Sequence, residues 1–158
     1  MVFVTLGSQK FQFNRLLQEL DRLIEDNVLK EEVFAQIGYS DYLPKNYKYK
    51  DFLSREEFIE YEQNADCVIT HGGTGAIIGA VKKGKKVIAV PRLAKFGEHV
   101  DNHQLQLISQ FSEMKLIIPC YEMESLANAY FSAKDMETLE YKSNTEKYIE
   151  DIEKFLNE

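Results

Sequence analysis

Short runs of apolar residues alternate along the chain with stretches in which apolar residues recur at helical spacing. The short runs predict strands at residues 2–6, 33–37, 49–53, 67–70, 87–90 and 115–118. Helices are predicted from Leu16 to Val28, at 54–64, 74–83, from 101 or 102 onward, at 125–134 and at 145–156. This alternation predicts an α/β domain with a doubly wound, mostly parallel, six-stranded sheet.

Local signals mark the ends of two of the helices. Ser54 and Glu57 have the spacing of a capping box, and Gly84 stands where a helix over 74–83 would end. Ligands of such sheets bind at the carboxyl ends of the strands. We therefore expect the functional residues in the loops at 7–9, from 38 onward, at 52–54, at 71–75 and at 91–104.

The sharpest local motif is His71-Gly72-Gly73-Thr74-Gly75, which follows a buried strand and opens a helix. Glycines allow a ligand to approach the backbone, and a helix N-terminus offers N–H groups and a partial positive charge. These features together favour a phosphate site. The alternative is a tight strand-to-helix turn that needs glycine for packing only.

The loop after the next strand, residues 97–104, is rich in polar side chains. Such a loop is suited to contact the hydroxyl groups of a sugar. Two alternatives are a helix cap at Asp101 or Asn102 and a metal site at His99 and His103. A dinucleotide site is a further alternative, because Gly73, Gly75 and Gly79 loosely resemble G-x-G-x-x-G and Arg92 could meet the 2′-phosphate of NADP.

Composition limits the classes of protein to consider. The chain has 158 residues, of which 44% are hydrophobic and 28% charged, as expected for one globular domain over 1–158 with its core in about 1–120. We expect neither a signal peptide nor a membrane span, and we expect Cys67 and Cys120 to be reduced in a cytoplasmic protein. A net charge of −7 argues against nucleic-acid binding.

The charge is unevenly distributed. The last part, 121–158, is strongly acidic, whereas 67–97 contains basic residues and no acid. Those basic residues are Lys82, Lys83, Lys85, Lys86, Arg92 and Lys95. We expect this basic stretch to flank the phosphate loop. An apolar stripe in the last helix (Tyr148, Ile149, Ile152, Phe155 and Leu156) is expected to cover the sheet of this domain or to dock a partner.

The order of these loops resembles the C-terminal half of family 28 glycosyltransferases, over about residues 1–120. The resemblance is carried by Gly7-Ser8-Gln9, Gln36-Ile37-Gly38, Phe52-Leu53, Ala65-Asp66 and His71-x-Gly73-x-Gly75. Residues 90–92 and 97–104 resemble more narrowly the small donor-binding subunits of bacterial capsule and exopolysaccharide synthesis. The resemblance implies a Rossmann-like half of a two-domain GT-B enzyme.

The resemblance also implies roles for single residues. Ser8 and the backbone of Gly72, Gly73 and Thr74 would hold a diphosphate, Phe52 and Leu53 would meet uracil, and His103 and Gln104 would touch the donor sugar. The whole implied set is Ser8, Gln9, Phe52, Leu53, His71, Gly72, Gly73, Thr74, Gly75, Arg92, Glu98, Asp101, His103 and Gln104. His71 and Glu98 are the catalytic candidates on this chain. The glutamate that usually clasps the ribose is replaced by Gly79, so the ribose would be held otherwise, for example by Glu98.

The implied activity is inverting transfer from a UDP-hexose, galactose first, without a metal. The general base and a lipid-linked acceptor would be held by a membrane-anchored partner subunit, which would keep this chain at the inner face of the membrane. Two other functions remain open. One is a non-catalytic module that binds a nucleotide or stabilises a partner, and the other is an NADP-dependent oxidoreductase.

Overall fold

The computed structural model describes residues 1–135, which form one sheet covered by helices on both faces. The strands are β1 (Val2–Thr5), β2 (Val33–Gln36), β3 (Lys48–Lys50), β4 (Cys67–His71), β5 (Lys86–Val90) and β6 (Ile118–Pro119). The helices are α1 (Asn14–Glu25), α2 (Arg55–Asn64), α3 (Thr74–Lys82), α4 (His103–Glu113) and α5 (Leu126–Asp135). The predicted helix at 145–156 and its apolar stripe lie outside the described residues.

All six strands are parallel and lie in the order β3-β2-β1-β4-β5-β6. β1 and β4 are central neighbours, with Val4 opposite Ala35 on one side and Ile69 on the other. The predicted α/β fold with a doubly wound six-stranded sheet is therefore confirmed. The strand order reverses direction between β1 and β4, and this is where sheets of this kind bind ligands.

The core consists of two apolar layers, one on each face of the sheet. Val4 and Ile69 point to the face covered by α1 and α5, where they pack with Leu16. Phe3 and Val68 point to the opposite face, which is covered by α2, α3 and α4. Adjacent strand residues point to opposite faces, so strands that are apolar throughout are buried on both sides.

Two strands differ by more than one residue at an end from the predicted positions. β3 ends at Lys50 because Phe52 and Leu53 already lead into α2, where Ser54 Oγ accepts from Glu57 N at 3.1 Å and completes the predicted capping box. β6 begins at Ile118, because Leu116 is used to close the end of α4, its N–H donating to Phe111 O at 3.2 Å. Both apolar runs are thus divided between a strand and a helix end.

Among residues 1–135 no helix is long and apolar enough to cross a membrane. α5 packs on this domain's own sheet, burying Leu126, Ala129, Tyr130 and Ala133. The Tyr130 hydroxyl donates to Glu31 Oε1 at 2.7 Å, which ties α5 to the segment before β2. The first of the two predicted C-terminal helices therefore belongs to the domain core.

Candidate functional site

The carboxyl ends of β1, β4 and β5 bring three loops together at one edge of the sheet. These loops are 6–13 after β1, 72–73 between β4 and α3, and 91–102 between β5 and α4. Thr5 is in register with Thr70, and His71 with Val90. Since the loops follow neighbouring parallel strands, the predicted residues Ser8, His71 and Arg92 lie at the same edge.

The His71 imidazole fills the space between two glycines of this edge. A Cβ atom at Gly7 would lie 2.5 Å from His71 Nε2, and one at Gly73 would lie 2.3 Å from Cε1. Gly7 also has φ +73°, which favours glycine, whereas Gly73 has an ordinary φ of −76°. Both positions therefore exclude a side chain because the His71 ring already occupies the space.

Burial fixes the charge state of His71. The ring is 5% exposed, and Arg92 and His99 are nearby positive or potentially positive groups. Desolvation first, and then the Arg92 charge, lower the pKa of His71 to about 3. His71 is therefore a neutral imidazole at neutral pH, and it could serve as a hydrogen-bond donor or acceptor but carries no charge.

The first turn of α3 is open to a ligand. Gly73 is the N-cap residue, no side chain of the described chain caps the helix, and the first turn contains no acidic residue. Gly75 is exposed, and a Cβ atom there would have nothing within 4 Å. Unpaired N–H groups and the helix dipole at such an end attract anions such as phosphate.

The glycines of the motif thus serve two purposes. Gly72 and Gly73 are required for packing, since a Cβ atom at Gly72 would lie 2.7 Å from the Cβ of Gln104. Gly72 N donates to Gln104 Oε1 at 3.0 Å, so this N–H is already satisfied within the protein and the expectation that it holds a diphosphate is not supported. Gly73, Thr74 and Gly75 stay the predicted phosphate contacts.

Arg92 is a buried cation that joins the loop after β1 to the loop after β5. Its side chain is 1% exposed, and its Nη1 donates to the carbonyl oxygens of Phe11 at 3.1 Å, Gln12 at 3.2 Å and Glu98 at 3.3 Å. Its Nη2 donates to Leu6 O. Burial lowers the pKa of Arg92 to about 10, so it stays protonated at neutral pH. The structure gives Arg92 a supporting place in the site, and not the direct ligand contact expected from the sequence.

Glu98, a predicted catalytic candidate, is likewise occupied inside the protein. It is 1% exposed and binds Arg15 through two bonds, from Nε at 2.7 Å and from Nη2 at 3.1 Å. Its Oε1 also accepts from Leu93 N at 3.0 Å. A carboxylate held by three donors and shielded from solvent is unsuited to act as a general base or to clasp a ribose, so both expected roles of Glu98 are replaced by a structural one.

The end of the third loop is exposed, and its contacts bear on the alternatives of a helix cap and a metal site. α4 begins at His103, whose N–H is bonded by Asp101 Oδ1 at 3.0 Å, while Asn102 Oδ1 accepts from Ala94 N at 3.0 Å. The N-cap residue of α4 is thus Asn102, one of the two predicted caps, but its side chain makes no capping hydrogen bond, and Asp101 before it accepts from the first N–H of the helix. His99 Nδ1 lies 3.2 Å from Asp101 Oδ1, and within residues 1–135 no three potential metal ligands form a cluster. His103 is exposed at the site edge, and its contact with a sugar stays a prediction.

The loop after β3 lies at the same edge of the sheet, beyond β2. Phe52 is 43% exposed and meets Tyr39 edge to face, with 5.2 Å between the ring centroids. Leu53 N donates to the side-chain oxygen of Gln36 at 3.0 Å, which fixes the backbone at this point. This loop presents an aromatic surface next to a fixed backbone, and its contact with uracil stays a prediction, as do the contacts of the exposed Ser8 and Gln9.

Four of the six basic residues in this stretch do not flank the site, contrary to the expectation from the sequence, whereas Arg92 and Lys95 lie in the loop after β5. α3 leads the chain away from the phosphate loop, so that Lys82, Lys83, Lys85 and Lys86 lie at the amino-end edge of the sheet. Lys83 Nζ binds Glu62 at 2.6 Å, and Lys85 Nζ donates to Gln63 O at 2.7 Å. The expectation failed because a short helix separates residues that are close in sequence.

Two residues that support the site were missed by the sequence reasoning. Arg15 binds Glu98 and also donates to Pro91 O at 3.0 Å. Gln12 Nε2 donates to Phe96 O at 2.8 Å, while its Oε1 accepts from Asn14 N at 2.8 Å. Both connect the loop after β1 to the loop after β5, across more than 70 residues of sequence, and no local motif signals such contacts.

Comparison with known proteins tests the family. The family model "Glycosyltransferase family 28 C-terminal domain" matches residues 1–156. The chain belongs to this family. The sequence-based prediction of the family is thus confirmed.

This family 28 domain is similar to curated proteins named UDP-N-acetylglucosamine transferase subunit ALG13. The protein of Kluyveromyces lactis is 31% identical over 90 residues, which are 56% of this chain and 44% of the relative. The human protein is 28% identical over 131 residues, 75% of this chain and 11% of the relative. The chain therefore spans less than half of the length of these relatives.

Solved structures agree on the fold. The kitacinnamycin glycotransferase matches with a TM-score of 0.70 at 15% identity, covering 96% of this chain and 39% of that one. MurG of Acinetobacter baumannii matches with a TM-score of 0.61 at 16% identity, covering 96% of this chain and 49% of that one. The family 28 domain thus has the fold of one part of these larger glycosyltransferases.

Proposed function

We propose that this family 28 domain is the donor-binding half of an inverting, UDP-sugar-dependent glycosyltransferase. The observation that carries the proposal is the meeting of the uncapped first turn of α3 with the glycine turn after β1, across the buried ring of His71. Such an arrangement suits a diphosphate, which would lie between the two turns. The names of the ALG13 relatives support a UDP-sugar as its carrier.

The proposed chemistry is stabilisation of a leaving group. As the bond between the anomeric carbon and the diphosphate oxygen breaks, negative charge accumulates on UDP. The N–H groups at Gly73 to Gly75 and the α3 dipole stabilise that charge, and the protonated Arg92, buried under the neighbouring loops, adds positive potential. An acceptor hydroxyl that attacks from the opposite face inverts the anomeric carbon, giving a β-linkage from an α-linked donor.

The general base is proposed to lie on a partner. Both oxygens of Glu98 accept hydrogen bonds from Arg15, and His71 is buried with its Nδ1 bonded to Gln104. We therefore assign deprotonation of the acceptor, and the binding of a lipid-linked acceptor sugar, to a membrane-anchored subunit. That subunit would keep this domain in the cytoplasm, at the membrane surface.

Two UDP-sugars are candidates for the donor, and one binding experiment distinguishes them. The names of the relatives favour UDP-N-acetylglucosamine, and the resemblance to capsule enzymes favours UDP-galactose. Isothermal titration with UDP, each UDP-sugar and NADP is expected to give binding by UDP and tighter or equal binding by one UDP-sugar. Binding of NADP without binding of UDP would overturn the proposal in favour of an oxidoreductase.

Gly79 offers a test by gain of affinity. It lies on the same open face of α3 as Gly75, and a Cβ atom there would have nothing within 4 Å. Gly79→Glu restores the family's ribose-binding carboxylate, and we expect UDP to bind about tenfold more tightly because a charged acceptor meets the ribose hydroxyls.

The control for this change is Gly79→Gln, which has the same shape without the charge. The gain with Gly79→Glu should also disappear for 2′,3′-dideoxy-UDP, which lacks the hydroxyls. Equal affinities of the Glu and Gln variants for UDP would contradict the proposed placement of ribose beside α3.

A second candidate function is a non-catalytic nucleotide-binding module. The observation that favours it is the combination of Gly79 with an internally paired Glu98, which leaves these two positions without a free carboxylate for the donor. Binding of UDP-sugars without transfer, when the acceptor-binding subunit and acceptor are both present, would support the module.

A further inference from the structure

The side chain of Gln104 lies beneath the loop after β4 and is used entirely inside the protein. It is 4% exposed, and its Oε1 is 3.0 Å from Gly72 N and 2.9 Å from Arg92 N. Both of these backbone groups only donate, so the atom that meets them must be the amide oxygen. The Gln104 NH2 group therefore faces His71 Nδ1, at 3.1 Å.

This orientation determines the tautomer of His71. An amide NH2 group only donates, so Nδ1 accepts and carries no proton. Desolvation, Arg92 and His99 all lower the pKa of His71, which leaves the ring neutral at neutral pH. The single ring proton is then on Nε2.

The Nε2–H group points to the space where the two turns meet. A Cβ atom would lie 2.5 Å from Nε2 if added to Gly7, and 2.7 Å if added to Gly73. Nε2 has no hydrogen-bond acceptor among the residues that the structure describes. The group is thus a fixed donor between Gly7 and the first turn of α3.

We propose that Gln104 is a positioning residue that holds His71 in the Nε2–H tautomer, so that this N–H donates to an oxygen of the donor diphosphate. The second half of the proposal rests on the proposed function. In the opposite tautomer a lone pair of Nε2 would face the phosphate oxygens and repel them. The sequence led us to expect contact of Gln104 with the donor sugar, but the geometry gives its amide to the protein instead.

The first experiment needs no variant and no ligand. Long-range ¹H–¹⁵N correlation spectra of the uniformly labelled chain distinguish the Nε2–H tautomer, the Nδ1–H tautomer and the imidazolium of each histidine. The His71 signals are assigned by their loss in His71→Asn. We expect the Nε2–H tautomer at neutral pH, and an Nδ1–H or charged His71 would overturn the proposal.

The second experiment changes the amide alone. Gln104→Glu keeps an oxygen for Gly72 N and Arg92 N but offers His71 an acceptor in place of a donor, so His71 should become the Nδ1–H tautomer, which leaves no proton on Nε2. Gln106→Glu makes the same chemical change at an exposed position of α4 and is the matched control. UDP should bind about tenfold or more weakly to Gln104→Glu than to Gln106→Glu.

The outcomes separate this proposal from the proposed function. An unchanged His71 tautomer in Gln104→Glu overturns the positioning role. A changed tautomer with equal UDP affinity in the two variants overturns the donation to diphosphate. If wild-type protein does not bind UDP but shows the Nε2–H tautomer, the proposed function fails while the positioning of His71 by Gln104 is upheld.

Discussion

Gly73 and Gly75 differ in the space around them, although they are two residues apart. A Cβ atom at Gly73 would lie 2.3 Å from His71 Cε1, whereas one at Gly75 would meet nothing within 4 Å. Gly73 has φ −76°, so alanine there introduces no backbone strain. We predict that Gly73→Ala destabilises the domain and that Gly75→Ala stabilises it slightly.

The size of the destabilisation depends on how far the His71 ring must move to make room for the new Cβ atom. Carbon atoms in contact lie about 3.5–4.0 Å apart, so the His71 ring or the turn must shift by more than about 1 Å. Overpacking of this kind costs about 1–3 kcal/mol, and a lost Gln104–His71 hydrogen bond adds about 1 kcal/mol. Alanine recovers about 0.4–1 kcal/mol by restricting the unfolded chain, so the net loss in Gly73→Ala is about 2 kcal/mol. Gly75→Ala has no such clash, so it should show only the gain of about 0.4–1 kcal/mol from restricting the unfolded chain.

Urea unfolding followed by far-ultraviolet circular dichroism at neutral pH measures both variants against wild type. The expected difference between the two variants is about 3 kcal/mol in the free energy of unfolding. A Gly73→Ala protein as stable as Gly75→Ala would mean that the His71 ring does not occupy the space beside Gly73.

Three further predictions concern buried groups. Because the pKa of His71 is lowered to about 3, the unfolded chain binds one more proton than the folded chain between about pH 6.5 and 3. The free energy of unfolding should therefore fall by up to about 1.4 kcal/mol for each pH unit as the pH is lowered through this range. If His71→Asn showed the same pH dependence as wild type, this prediction would be contradicted. Arg15→Met should cost about 3 kcal/mol in urea unfolding by leaving the Glu98 carboxylate buried without its cation, and Glu98→Gln added to that variant should recover part of the loss. Burial raises the pKa of Cys67 to about 12 and that of Cys120 to about 11. Ellman's reagent should therefore label neither thiol in the folded chain at mildly alkaline pH, and should label both thiols in urea. Fast labelling of the folded protein would count against the burial of these thiols.

The polar residues of the site fall into two groups, those available to a ligand and those that hold the loops in place. The open turn of α3 is the proposed contact for the ligand, while Arg92, Glu98 and Gln104 use their polar atoms to hold the surrounding loops. Substitutions of the supporting residues should therefore lower stability together with affinity. Substitutions at the exposed Ser8 or His103 should alter affinity alone, if these residues contact the donor as predicted.

The fold could be predicted from the sequence because its signals are local. Strands buried on both faces appear as short apolar runs, and the Ser54–Glu57 box fixes the start of α2 within three residues of sequence. The runs near β3 and β6 were less well predicted, because apolar residues such as Leu116 serve equally to begin a strand or to cover a helix end.

The α/β class, the order of the loops at the carboxyl ends of the strands, the glycine turn at 72–75 and the family all follow from local patterns in the sequence. The role of each polar side chain there depends instead on how the loops meet in three dimensions. Arg92, Glu98 and Gln104 look like ligand contacts in a linear reading, and the fold buries them against backbone groups and against Arg15. The lysines that follow the glycine turn in sequence lie at the far edge of the sheet, because α3 stands between them and the turn. Hydrogen-bond partners more than 70 residues apart leave no periodic or local pattern, so their pairing depends on how the loops meet in three dimensions.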